Sequence, residues 1–222
     1  MRKWAVPLGV AAVVIVGLVV AYLVHRSQQE AATAADCKPI IAIQTAQARL
    51  NSVGTPQLVI IGDSYAAGVG PASVSQSWPR LLTGWHVFVL AHGGAGFTQP
   101  GCDGGQYGNE VSAAVARKPM KVVIEGGLND QGGVSSLPSD ANAVLARFRR
   151  GEVVVVGPAD PPSEPLATLT TIDRDLKSAA AAHGDRYVSL IGTLSPSEFT
   201  FLHPTAGGEA VIAQLVQAAI GP

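Results

Sequence analysis

Four short stretches of this chain carry residue types that belong together in acyl transfer. Gly62-Asp63-Ser64 follows the apolar run Leu58-Val59-Ile60-Ile61. Ala91-His92-Gly93-Gly94-Ala95-Gly96-Phe97-Thr98 follows a second run, His86 to Leu90. Gly126-Gly127-Leu128-Asn129-Asp130 follows a third, Lys121 to Glu125. Leu202-His203-Pro204 stands just before the last apolar stretch. A serine hydroxyl is a weak nucleophile until a base takes its proton. His203 suits that task, because imidazole titrates near neutrality. The tetrahedral intermediate carries an oxyanion that needs donors already aimed at it. The backbone amides of Ser64 and Gly96 and the side-chain NH2 of Asn129 can supply them. Glycine at 96 lets the backbone approach a substrate closely.

Each piece alone has a plainer reading. Gly-Asp-Ser is an ordinary turn composition, Asn129 suits a turn, and His203 suits a helix cap. The set in this order carries the weight. Asp63 and Asp130 read as structural acceptors for loop amides, and His92 as a residue that lines the cleft or bonds a loop. His25, His86 and His183 have no partner pattern. No cluster has metal-ligand spacing, so neither a metal nor a cofactor is expected. The glycines between 93 and 108 lack both G-x-G-x-x-G and the P-loop lysine. They read as a mobile active-site loop that shapes specificity.

The elements that must position these residues alternate along the chain. Strand-like runs are Leu58 to Ile61, His86 to Leu90, Lys121 to Glu125, Glu152 to Val156 and Tyr187 to Leu190. Leu166, Leu169, Ile172 and Leu176 recur at three- and four-residue spacing, as on one face of a helix. Ala143 to Phe148 and Val211 to Ile220 have similar character. The strands are almost continuously apolar, as strands covered on both faces are. Strand alternating with helix predicts a doubly wound parallel α/β sheet. In such sheets ligands bind at the carboxyl ends of the strands, which is where the four stretches fall.

The same residues resemble those of the SGNH hydrolases, also called GDSL-type esterases and lipases. Gly62-Asp63-Ser64 resembles the first family block. Gly93 and Gly96 fit the second, N-x-G-x-x-G. Gly127-Leu128-Asn129-Asp130 is a full G-x-N-D third block, and His203-Pro204 fits the end of the last. The resemblance implies a flavodoxin-like three-layer sandwich with a five-stranded parallel sheet. It also implies Ser64 as nucleophile, His203 as base, and Ser64, Gly96 and Asn129 as oxyanion donors. The α/β-hydrolase elbow is a different pattern, since Gly62-Asp63-Ser64-Tyr65-Ala66 lacks the final glycine of G-x-S-x-G. Two positions depart from the family. Ala91 stands where asparagine is usual. Thr200 stands three residues before His203, where the family has the aspartate that orients the imidazole. A backbone carbonyl near Thr200, the Thr200 hydroxyl or the Glu198 carboxylate is left to do that work.

The N-terminus sets the compartment. Trp4 to Leu23 contains no charged residue and is about long enough to cross a bilayer core. Arg2 and Lys3 precede it, and Trp4 and Tyr22 lie near its ends as interfacial aromatics do. The segment exceeds a signal-peptide core. An uncleaved single-pass anchor with the rest of the chain outside the cytoplasm is expected, with a signal peptide cleaved near Ala32-Thr33-Ala34 as the alternative. Cys37 and Cys102 then lie where disulfides persist, and their even count predicts a bridge. The expected organisation is a stub and anchor over 1–26, a partly helical spacer over 27–56 and a hydrolase domain over 57–222. With 15 Lys and Arg against 16 Asp and Glu, no basic stripe calls for nucleic acid. The expected protein is a monomeric extracytoplasmic serine esterase. Its partners are the membrane, through the N-terminal helix, and an ester substrate, with short acyl chains on glycans or lipids favoured. A catalytically weak surface binding domain and an acyltransferase acting on cell-envelope components are the alternatives.

Overall fold

The structure, a computed structural model, describes Leu18 and residues 36–221. The expected anchor over Trp4 to Leu23 therefore lies, apart from Leu18, outside the described residues. Among those described, no helix is long and apolar enough to cross a membrane. Neither cysteine is free: Cys37 and Cys102 are both disulfide-bonded. Residues 39–222 form one compact unit. That unit takes in residues 39–56, which the sequence assigned to a spacer. Gln47 shows why: it is buried, and its Nε2 donates to the Ala66 carbonyl at 2.7 Å and to Ser77 Oγ at 3.0 Å.

In chain order the elements are α1 (36–49), β1 (Gln57–Gly62), α2 (Ser64–Ala67), α3 (Trp78–Leu81), β2 (His86–Ala91), α4 (Tyr107–Ala116) and β3 (Lys121–Glu125). There follow α5 (Leu137–Leu145), β4 (Val153–Ala159), α6 (Leu166–His183), β5 (Arg186–Leu190), β6 (Phe199–Thr200), β7 (His203–Pro204) and α7 (Ala206–Ile220). The first five strands make a parallel sheet in the order β2-β1-β3-β4-β5. This is the flavodoxin-type order, with its switch point between β1 and β3. The chain must cross the sheet there, which leaves a crevice at the strand ends.

Successive side chains of a strand point to opposite faces, and β1 divides its residues accordingly. Leu58 and Ile60 join a core with Trp78, Leu169, Ile212 and Val216. Val59 and Ile61 join another with Tyr107, Val111, Leu137 and Leu176. All four β1 residues are fully buried, and truncating a side chain such as Ile60 to alanine costs about 2–5 kcal/mol. The expected periodicity of α6 holds for Leu169, Ile172 and Leu176, whereas Leu166 at the helix start is exposed. Gly184 ends that helix in the left-handed conformation, φ 69°, which glycine adopts without a Cβ penalty. Helix α5 begins six residues earlier than the apolar stretch at Ala143 suggests, and α4 lies in a segment where no helix was expected.

Candidate active site

The serine sits at the turn where β1 gives way to α2. Gly62 is needed there, because a Cβ would lie 2.5 Å from the Cβ of Ala66. Asp63 caps the helix, with Oδ1 accepting from the Tyr65 amide at 2.9 Å. Asp63 is buried, and that burial, helped by the nearby charge of Asp130, pushes its carboxyl up to about 7 against the pull of the Tyr65 amide. Glu125 and Glu209 are also buried, with carboxyl pKa values driven well above the usual range first by desolvation and then by neighbouring carboxylates. Charge is costly to bury without a partner. Burial therefore favours the neutral form of both groups.

Ser64 Oγ lies 3.1 Å from His203 Nε2. With the imidazole neutral and its proton on Nδ1, the hydroxyl can donate to Nε2, the arrangement that a nucleophile and its base require. Burial lowers the pKa of His203, which favours the neutral imidazole that can accept.

His203 is carried by a two-stranded antiparallel hairpin in which β6 pairs with β7, Thr200 opposite His203. The hairpin is tucked against the loop after α2. Gly70, at φ 125°, lies so close that a Cβ would strike the Pro204 carbonyl and meet the His203 Cβ at 3.1 Å.

The orienting group expected for His203 is absent at each place proposed for it. Glu198 Oε2 accepts from Ser195 N at 2.6 Å and from Ser195 Oγ at 2.9 Å. Its carboxylate is spent on the capping box of the turn Pro196–Glu198. Thr200 is exposed and its hydroxyl makes no hydrogen bond to the imidazole. Among the described residues no carbonyl accepts from His203 Nδ1; the one hydrogen bond of the ring is to Ser64. The Thr200 backbone is paired with His203 in the hairpin.

The expected oxyanion donors differ in their state. The Ser64 amide has no acceptor among the described residues. Asn129 Nδ2 donates to Asp63 Oδ2 at 3.1 Å and to the Ala95 carbonyl at 2.9 Å, which takes both hydrogens of the amide. The Gly96 amide donates to the Gln99 carbonyl at 2.9 Å. Buried donors pair with whatever acceptor is at hand, so an oxyanion must compete with these for Asn129 and Gly96.

Asp130 does the structural work expected of it. Its carboxylate accepts from Phe97 N at 3.2 Å, Thr98 N at 2.7 Å and Thr98 Oγ at 2.6 Å. A Cβ on Gly96 would lie 2.5 Å from Asp130 Oδ1. The third strand-end loop thus holds the second. His92 also binds the loop, with Nδ1 2.7 Å from Asp103 and Nε2 3.0 Å from Glu110. Gln44 Nε2 donates to Asp103 at 2.6 Å and Gln44 Oε1 accepts from Gly93 N at 3.0 Å. The segment read as mobile from its glycines is pinned at several points.

One residue of the site escaped sequence reasoning. Tyr65 directly follows the nucleophile, and its hydroxyl donates to the Leu202 carbonyl at 2.6 Å. A tyrosine beside the serine was the only signal available.

Solved structures with this architecture share little sequence with it. A lipase/acylhydrolase from Enterococcus faecalis aligns with TM-score 0.62 at 20% identity, over 75% of this chain and 95% of its own. A carbohydrate acetylesterase from Sinorhizobium meliloti aligns with TM-score 0.61 at 14% identity, over 75% and 98%. An acetylxylan esterase from Geobacillus stearothermophilus aligns with TM-score 0.55 at 16% identity, over 78% and 97%. At these identities the likeness concerns the fold. No curated protein matches the sequence. The family model for GDSL-like lipases and acylhydrolases matches residues 60–211, from within β1 to within α7 and through all four strand-end stretches. The chain belongs to the GDSL-like lipase/acylhydrolase family and is an ester hydrolase.

Proposed function

We propose that this chain is an extracytoplasmic serine esterase that cleaves short-chain carboxylic esters through an acyl-enzyme on Ser64. The observation that carries the reading is the 3.1 Å approach of Ser64 Oγ to His203 Nε2. As Oγ bonds to the ester carbonyl carbon, its proton passes to Nε2. The oxyanion forms against the Ser64 amide, with Asn129 and Gly96 as further donors once they leave their internal acceptors. His203 then returns the proton to the departing alcohol oxygen as the C–O bond breaks. Water attacks the acyl-enzyme by the same route in reverse, releasing the acid and restoring Ser64.

Two observations support the substrate class and compartment. Structural neighbours of the same fold include proteins described as a carbohydrate acetylesterase and an acetylxylan esterase, which favours short acyl groups on glycans. Both cysteines are disulfide-bonded, a state that persists in oxidising compartments. The apolar Trp4 to Leu23 segment is the proposed membrane anchor.

Hydrolysis of a p-nitrophenyl ester series from acetate to decanoate tests the chemistry. Highest kcat/KM for acetate or butyrate is expected. Ser64→Ala is expected to abolish both hydrolysis and labelling by a fluorophosphonate. Undiminished hydrolysis by Ser64→Ala sinks the mechanism.

A further inference from the structure

We propose that Tyr65 is the positioning residue that holds His203 over Ser64, in place of the acid missing three positions before the base. The proposal rests on the reading of Ser64 and His203 as nucleophile and base.

The hairpin that carries His203 is weakly built by itself. Its strands are two residues each. Phe201 at its tip is 80% exposed and sits at φ 59°, a conformation costly for a bulky side chain. Such an element needs fastening from outside. Thr205 N donates to the Glu198 carbonyl at 2.8 Å, which closes the hairpin on itself. Ser163 Oγ donates to the Phe201 carbonyl at 3.4 Å, a long bond at an exposed site.

Tyr65 supplies the short tie. It is 2% exposed, and its hydroxyl reaches the Leu202 carbonyl, one residue before His203, at 2.6 Å. Its ring centroid lies 6.0 Å from that of His203, tilted by 59°, so the phenol ring walls one side of the imidazole. Because Tyr65 is the residue after Ser64, this bond sets the spacing between the nucleophile helix and the base directly. A displacement of about 1 Å at such a pair can cost about a hundredfold in rate.

The tie is insensitive to pH. Burial, followed by the carboxyl groups of Asp63, Glu125, Glu209 and Glu164, raises the Tyr65 pKa far above its usual value. The phenol therefore remains a donor at any working pH. On the other side, His203 has Ser64 Oγ as its hydrogen-bond partner, and burial alone moves its titration. A triad carboxylate does two things: it fixes the ring and it stabilises the imidazolium. Tyr65 does only the first. This gives the proposal a signature that a general packing role lacks.

The test uses the full chain and p-nitrophenyl acetate from pH 5 to 9. Tyr65→Phe keeps the ring and removes the tie. It is expected to lower kcat about tenfold with KM within about twofold, in a protein that still melts cooperatively. Fluorophosphonate labelling slows by the same factor, and the acid limb of the pH profile stays in place. Thr200→Asp puts an acid opposite His203, and in that background Tyr65→Phe is expected to cost less than about threefold. A folded Tyr65→Phe protein with wild-type kcat and labelling rate overturns the proposal. So does an equal loss in both backgrounds, which would mark a structural role unconnected with the base. Ser64→Ala and His203→Ala run alongside. If either hydrolyses like wild type, the nucleophile and base themselves are wrong; if both are dead, the Tyr65 result stands on its own.

Discussion

Glu198 and Ser195 close on each other, not on the histidine: the carboxylate takes both the amide and the hydroxyl of Ser195, at 2.6 and 2.9 Å. The nearest acid upstream of His203 is thereby committed to holding a turn. Glu198→Gln is expected to leave kcat/KM within about twofold of wild type, while His203→Ala loses at least about a thousandfold. Thermal melting should fall with about 0.5–1 kcal/mol of lost cap energy. A turnover loss in Glu198→Gln comparable to that of His203→Ala would return Glu198 to the catalytic group.

The acid limb of the rate profile reports the base. His203 must be neutral to accept the serine proton, and its burial lowers its pKa from the usual 6.5. The midpoint of kcat/KM against pH is therefore expected below 6.5 in the native protein. Thr200→Asp places a carboxylate across the ladder from the imidazole. A close opposite charge stabilises the imidazolium, so the midpoint should rise by about one unit or more. Kinetics in buffers of constant ionic strength check both values.

Asn129→Ala separates the two tasks of that side chain. If its amide stabilises the oxyanion, kcat drops by about 10²–10³. If it only bridges Asp63 and Ala95, the melting temperature falls and kcat does not. The first outcome is expected, read by steady-state kinetics beside calorimetry.

Gly96→Ala is expected to harm both stability and rate. The added methyl meets the buried Asp130 carboxylate at 2.5 Å, so the loop must shift. Overpacking of this kind costs about 1–3 kcal/mol. The displaced loop should also lower kcat, which denaturant melts and turnover measured together will show.

His92 couples the glycine-rich loop to pH. Glu110 first, and Asp103 with it, outweigh burial and raise its pKa from 6.5 to about 9. A raised folded-state pKa means that the stabilisation is complete below 6.5 and is lost as pH climbs through about 9. With its partners partly exposed, the contribution is on the order of 1 kcal/mol. The melting temperature should drop by a few degrees between pH 7 and 10, and His92→Gln should flatten that slope. An unchanged slope in His92→Gln would assign the titration elsewhere.

What was legible in the sequence follows from what local pattern can encode. Lys121 to Glu125 reads as a strand with its observed bounds, because a β-branched run between turn signals allows little else. The four strand-end loops were legible because glycine, serine, asparagine and histidine each mark a turn as well as a chemistry. Helix α4 was hidden: Tyr107-Gly108-Asn109 opens it with poor helix formers, and packing of Tyr107, Val111 and Ala114 overrides propensity. Residues 39–56 looked like a spacer because they continue the Ala/Gln-rich stretch that begins at Ser27. Their attachment depends on Arg80, which donates to Gln47 and Asn51 from far along the chain. The buried state of Glu125 and Glu209 and the reach of Tyr65 to Leu202 are likewise long-range facts. No window of sequence contains both ends of such a contact.

The separation of Ser64 from His203 has a practical side. The two residues are 139 positions apart, on the first strand–helix turn and the last hairpin of the domain. On the proposed mechanism neither is reactive without the other. A newly made chain therefore stays inert towards esters and phosphonates until its two ends have come together. Labelling of Ser64 during folding would count finished molecules only, making this enzyme a reporter of its own maturation.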